Sequence, residues 1–106
     1  MKIPFLNLKQ VNEPFEKDFE QAYHDFIQSG WYILGEKVTA FENEYAHFNK
    51  VQHTIGVANG LDALVLSLKA LGIGAGDEVI VPSNTYIASW LAVSYVGAIP
   101  IPVEPR

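Results

Sequence analysis

Apolar positions follow two different rhythms along the chain. From Phe15 to Ile27 they recur at helical spacing, as Phe15, Phe19, Ala22, Tyr23, Phe26 and Ile27. Asn12 is the expected N-cap of this helix, with Pro14 tolerated in the first turn and Gly30 as the stop. A second helix is predicted from Glu36 to Phe48, with Val38, Phe41, Tyr45 and Phe48 on one side. Between them lies Gly30-Trp31-Tyr32-Ile33-Leu34-Gly35, an aromatic loop bracketed by glycines.

The rhythm changes at His53. His53 to Ala58 reads as a short strand, broken by Asn59-Gly60. Leu61 to Leu71 reads as a helix that is apolar nearly all round, which implies burial. Gly72, Gly74, Gly76 and Asp77 make a turn, and Glu78 to Val81 is a second strand ended by Pro82. Ser83-Asn84-Thr85 offers helix caps, and Tyr86 to Val96 reads as a second buried helix. Ala98 to Val103 is a third strand, whose Pro100 and Pro102 favour a sheet edge or an early end. The order α-α-β-α-β-α-β implies an α/β fold with a parallel sheet and right-handed crossovers.

Composition narrows the picture. Of 106 residues, 49% are hydrophobic and 18% charged, enough apolar matter for a core and too much for a disordered chain. Residues 1–50 carry 13 of the 19 charged side chains, so the front half reads as solvent-facing and the back half as enclosed. A net charge of -5 argues against a nucleic-acid face, which needs clustered cations. The absence of cysteine excludes disulfides, thiolate metal sites and cysteine nucleophiles. His24, His47 and His53 lack metal-site spacing. No apolar run approaches the roughly 20 residues of a membrane helix. Met1 to Lys9 lacks the apolar core of a signal peptide, so a cytoplasmic soluble protein is expected. No repeat, linker or domain boundary interrupts the chain.

Ligands of open α/β sheets bind outside the carboxyl ends of the strands. Two strand-to-helix junctions lie there. At the first, Val57 to Leu64, Gly60 admits close approach, and the N–H groups of Gly60, Leu61 and Asp62 are expected to face an anion at a helix start. The same residues also suit an ordinary tight turn, with Asp62 stabilising the helix start. At the second, Val81 to Ser89, Tyr86 stands where a ring could stack on a flat ligand, or serve as a core aromatic. Neither junction is a Gly-x-Gly-x-x-Gly or Walker loop, which leaves dinucleotide and nucleoside triphosphate sites with little support. Trp31 and Tyr32 read either as core aromatics or as a ligand or partner surface.

Taken in order, the residues resemble the DegT/StrS-type sugar aminotransferases, pyridoxal-phosphate (PLP) enzymes of the aspartate aminotransferase fold. Pro4-Phe5-Leu6-Asn7-Leu8 is similar to the family's opening. Tyr32-Ile33-Leu34-Gly35 with Val38, Phe41-Glu42 and Tyr45-Ala46 is similar to its second segment. Gly60-Leu61-Asp62-Ala63-Leu64 resembles the cofactor-phosphate turn. Gly76 to Pro82 and Thr85 to Ser89 resemble the strand and ring-stacking segment that follow, and Gly97-Ala98 with Pro100 to Pro105 the next strand. The resemblance spans essentially the whole chain and is closest in wording to enzymes acting on dTDP-3-keto-6-deoxyhexoses.

That resemblance implies that Gly60, Leu61 and Asp62 sit at the PLP phosphate and that Tyr86 stacks on the pyridine ring. Leu61 replaces the threonine of many members, so a hydroxyl contact is lost. Trp31 and Tyr32 are implied near a substrate site shared between subunits of a homodimer. The implied reaction moves an amino group from glutamate to a keto group of a nucleotide-linked deoxysugar, for cell-surface polysaccharide or related glycan synthesis. The Schiff-base lysine and the acid on the pyridinium nitrogen come later in the family, and Lys2, Lys9, Lys17, Lys37, Lys50 and Lys69 do not match the lysine segment. Residues 1–106 are therefore expected to be one partial domain, the N-terminal segment of the PLP-binding large domain, with no transamination on its own. In this fold strands from later in the chain separate the first strand from the second and third, so the segment is expected to lack its native strand pairing. The other readings are a PLP-dependent dehydratase of the same fold, a non-catalytic α/β phosphate-ligand or partner-binding module, and a dimerisation piece.

Overall fold

The structure is a computed structural model that describes residues 3–106. Two compact units divide the chain, one running to Thr54 and one from Ile55 to Arg106. In the first, α1 (Leu8–Asn12) leads through a 3₁₀ turn at Glu13–Phe15 into α2 (Glu16–Ser29), and α3 (Glu36–Asn49) follows. The second holds α4 (Gly60–Ala70), β1 (Glu78–Pro82), α5 (Ile87–Tyr95) and β2 (Ile99–Val103).

Local signals set the first unit. Asn7 caps α1, its side chain accepting from the Gln10 amide at 3.2 Å, while Asn12 stands at the N-cap of the 3₁₀ turn, with Pro14 in its first positions, and makes no side-chain capping bond. Helical structure thus starts before Pro14. The proline has no N–H to give and crowds the preceding turn, and the chain passes it as a 3₁₀ turn. Gly30 ends α2 at φ +64, as expected of a residue without a Cβ. α3 ends at Lys50, also left-handed at φ +56, where Val51 N–H bonds the Ala46 carbonyl at 3.0 Å. The stripe predicted on this helix is uncovered: Val38, Phe41, Tyr45 and Phe48 are all exposed, and Ala46 is its one buried residue.

The second unit has a small core. β1 and β2 pair in parallel, with Glu78 opposite Ile99 and Pro82 opposite Val103. α5 packs on both strands and on α4. Val81, Val93 and Ala98 are buried together, with Leu68, Ile73, Val79, Trp90 and Val96 around them. Gly97 (φ +83) lets α5 turn directly into β2, and Ala98 N–H closes the helix on the Val93 carbonyl at 3.1 Å.

Pro100 and Pro102 confirm their edge placement by register. Ile99 N–H donates to the Asp77 carbonyl and the Val103 carbonyl accepts from Ser83 N–H, both at 2.9 Å. Strand alternation puts Pro100 and Pro102 on the opposite side, where a further strand would need the N–H groups that proline lacks. By the same alternation, Glu78 and Ile80 direct their backbone groups away from β2, toward the open side of β1.

Two sequence expectations are corrected here. His53 to Ala58 forms no strand, because strand identity requires a partner ladder and the described sheet contains β1 and β2 alone. α4 is not buried: none of its residues is enclosed, and Leu64 and Leu66 are exposed. α5 covers one face of it, and the rest of its apolar surface lies open among the described residues. No helix among them is long and apolar enough to cross a membrane.

Candidate functional site

The start of α4 is built by Asn59. Its side-chain oxygen accepts from the Asp62 amide at 2.9 Å, and its side-chain N–H donates to the Asp62 carboxylate at 3.0 Å. This reciprocal pair corrects the anion reading in one respect. The Asp62 N–H is already committed to Asn59, which leaves the amides of Gly60 and Leu61 as the outward-facing donors of the turn. The Asp62 carboxylate is held on the Asn59 amide, away from independent rotation. A Cβ placed on Gly60 would meet nothing within 4 Å, so the turn is open. Asn59 was missed as a cap by sequence reading; the signal was its place three residues before Asp62, ahead of an apolar helix.

The second junction follows β1. Ser83, Asn84 and Thr85 do not cap α5, and the cap position falls on Tyr86, without a side-chain capping bond. The hydroxyls bond elsewhere. Ser83 Oγ donates to Glu104 Oε2 at 2.6 Å, and Thr85 Oγ1 pairs with Ser89 Oγ at 3.1 Å. Tyr86 N-caps by backbone alone, its carbonyl accepting from Ser89 N–H at 3.0 Å. Its ring is 79% exposed and is not a core aromatic within the described residues. Gly60, Leu61, Asp62 and Tyr86 thus occupy the starts of two helices that pack on each other within one unit.

Trp31 and Tyr32 belong to the other unit. Their loop is tied to itself. Trp31 Nε1 donates to the Ile33 carbonyl at 2.7 Å, and the Tyr32 hydroxyl donates to the Ile27 carbonyl at 3.1 Å. Tyr32 also packs on Phe26 with ring centroids 4.9 Å apart. Ser29 Oγ donates to the Phe26 carbonyl and accepts from Trp31 N–H, fixing the entry to the loop. Leu34 closes it in the left-handed region at φ +51. The polar tips of both aromatics are engaged while their ring faces stay open, at 68% and 56% exposure. Trp31 lines a groove of about 770 Å³ with Phe26, Leu34, Gly35 and Val38. Ring faces, rather than hydrogen bonds, are what this loop offers to a ligand.

Comparison with known proteins places the chain. Residues 14–106 match the DegT/DnrJ/EryC1/StrS aminotransferase family. The chain is 56% identical, over 97% of its own length, to a dTDP-3-amino-3,6-dideoxy-alpha-D-galactopyranose transaminase of Aneurinibacillus thermoaerophilus. It superposes on the crystal structure of S. venezuelae DesV with a TM-score of 0.94 at 51% identity, covering 99% of this chain and 28% of that one. It also superposes on ntda from Bacillus subtilis, solved with bound cofactor PMP, at a TM-score of 0.92 and 29% identity, covering 99% of this chain and 24% of that one. The chain spans about 28% of the length of the curated transaminase it matches. Its fold is that of the N-terminal part of these structures. Residues 14–106 carry the match along nearly the whole sequence, and the chain belongs to the DegT/DnrJ/EryC1/StrS aminotransferase family.

Proposed function

We propose that the chain serves as the N-terminal portion of a PLP-dependent aminotransferase that moves an amino group from glutamate to a keto group of a nucleotide-linked deoxysugar. Family membership supports the reaction class. The 56% identity to a dTDP-amino-dideoxyhexose transaminase supports a dTDP-3-keto-6-deoxyhexose as the acceptor. The observation that carries the assignment is the open turn at Gly60, with two uncommitted helix amides, in the same unit as the bare ring of Tyr86.

The residues fit the cofactor. The Gly60 and Leu61 amides suit a phosphate, which the helix dipole favours by about 0.3–1 kcal/mol at an exposed end, so further contacts are needed for tight binding. Asp62 contributes by holding the turn through Asn59 rather than by touching the anion, since both its amide and its carboxylate are engaged there. Leu61 gives only its backbone. Tyr86 offers a ring face for the pyridine. PLP, when bound, supplies the carbonyl that takes up the amino group and the ring that accommodates the electrons released. Trp31 and Tyr32 offer apolar faces to the sugar-nucleotide. We place the working protein in the cytoplasm as a homodimer.

Intact mass of the protein from its own cell is the first test. A species much heavier than 11.8 kDa is expected, and amino transfer from glutamate to the dTDP-keto sugar should follow with PLP added. A mass of 11.8 kDa overturns the reading in favour of a non-catalytic binding module. Cofactor binding with dehydration and no amino transfer assigns the same-fold dehydratase instead.

A further inference from the structure

The turn that presents Tyr86 is fastened at both ends. Its last part is joined to α5 by the Thr85–Ser89 hydroxyl pair at 3.1 Å. Its first part is joined to the end of β2. There the Ser83 N–H donates to the Val103 carbonyl at 2.9 Å, and the Ser83 hydroxyl donates to the Glu104 carboxylate at 2.6 Å. The second bond links residues 21 apart in sequence, whereas the Asn59–Asp62 and Thr85–Ser89 pairs are local. A hydroxyl donating to a carboxylate at this distance is among the stronger hydrogen bonds a surface can carry. Register explains why it forms: Pro82 lies opposite Val103, so the next residue of each strand, Ser83 and Glu104, leaves the sheet side by side.

These bonds fix the backbone on either side of Tyr86 while its own side chain stays bare. Tyr86 lacks a side-chain cap that would otherwise settle the start of α5. The position of its ring therefore depends on the turn, and Glu104 is the one side chain from β2's end that helps to hold that turn. We propose that Glu104 is a positioning residue: acting through Ser83, it sets the place of the Tyr86 ring for the cofactor's pyridine. This rests on the stacking role of Tyr86 given above. Glu104 itself need not touch the cofactor.

The test uses the full-length protein, titrated with pyridoxal phosphate and followed by the absorbance of the bound cofactor. Ser83→Ala and Glu104→Ala each weaken affinity about three- to tenfold, and the double variant weakens it no further than the weaker single one. Glu104→Gln keeps an oxygen that accepts from the Ser83 hydroxyl and retains affinity within about twofold. Unchanged affinity in S83A and E104A, alongside a loss in Y86A, overturns the role of Glu104 and leaves that of Tyr86. Additive losses in the double variant also overturn it, since they mean independent contacts. A fall in the melting temperature of cofactor-free E104A that accounts for the lost affinity means general damage and overturns it as well. Unchanged affinity in Y86A removes the stacking role, and the proposal with it.

Discussion

The two units reach their structures by different means. Up to Thr54 the helices are settled by short-range devices: the Asn7 cap, the 3₁₀ turn at Pro14, the left-handed stops at Gly30 and Lys50, and the self-bonded Trp31–Tyr32 loop. Little is enclosed there, and Phe41, Tyr45 and Phe48 form an open stripe. From Ile55 onward, Val81, Val93 and Ala98 form a core, and strand pairing across 21 residues holds the ends together. Helix position can thus be written locally, while a sheet is written by its neighbours. Both units leave apolar surface open on a scale unusual for a free-standing domain.

The sharpest way to break this contrast is to isolate the 106 residues. Uncovered stripes on α3 and α4 and the open side of β1 predict self-association, seen as oligomers in sedimentation. A monodisperse monomer with one cooperative unfolding transition would show that the described contacts suffice alone. Next in size is Val93→Asp in the full-length protein. It puts an unpaired carboxylate beside Val81 and should cost more than about 3 kcal/mol in denaturant unfolding. Hydrogen exchange compares the units directly: amides of α5 and β1 should be protected more strongly than those of α1.

Smaller effects separate the local devices. Asn59→Ala removes the cap of α4 and should cost about 1 kcal/mol, with some loss of affinity for PLP because the Gly60 turn loosens. Gly30→Ala forces a Cβ into the left-handed region and should cost about 1 kcal/mol by thermal melting. A loss several times larger would mean that the loop after α2 carries more than local structure.

Much of the local structure was legible in the sequence. The helix from Glu36, the Gly30 stop, and the strands beginning near Glu78 and ending at Val103 depend on periodicity and on residues that interrupt it. Asn12 was legible as the cap position ahead of Pro14, but the earlier helical turn opened by Asn7 was not, since its five residues are too few to show a period. His53 to Ala58 misled because a strand is a relation between segments, which no single segment records. At the site, the Gly60 turn and Tyr86 were readable as positions. The Asn59–Asp62 pair had a spacing signal that a generic turn reading obscured, and the Ser83–Glu104 bond had none, since it needs two strands in register.

Pro100 and Pro102 make the sheet a one-sided template. β2 cannot donate along its outer edge, so only β1 remains for recruiting another strand. Two copies meeting through their sheets would each contribute that same edge and leave no further donor edge exposed. Such a contact closes on itself as a pair. Growth strand upon strand beyond that pair would need a donor edge that β2 does not have.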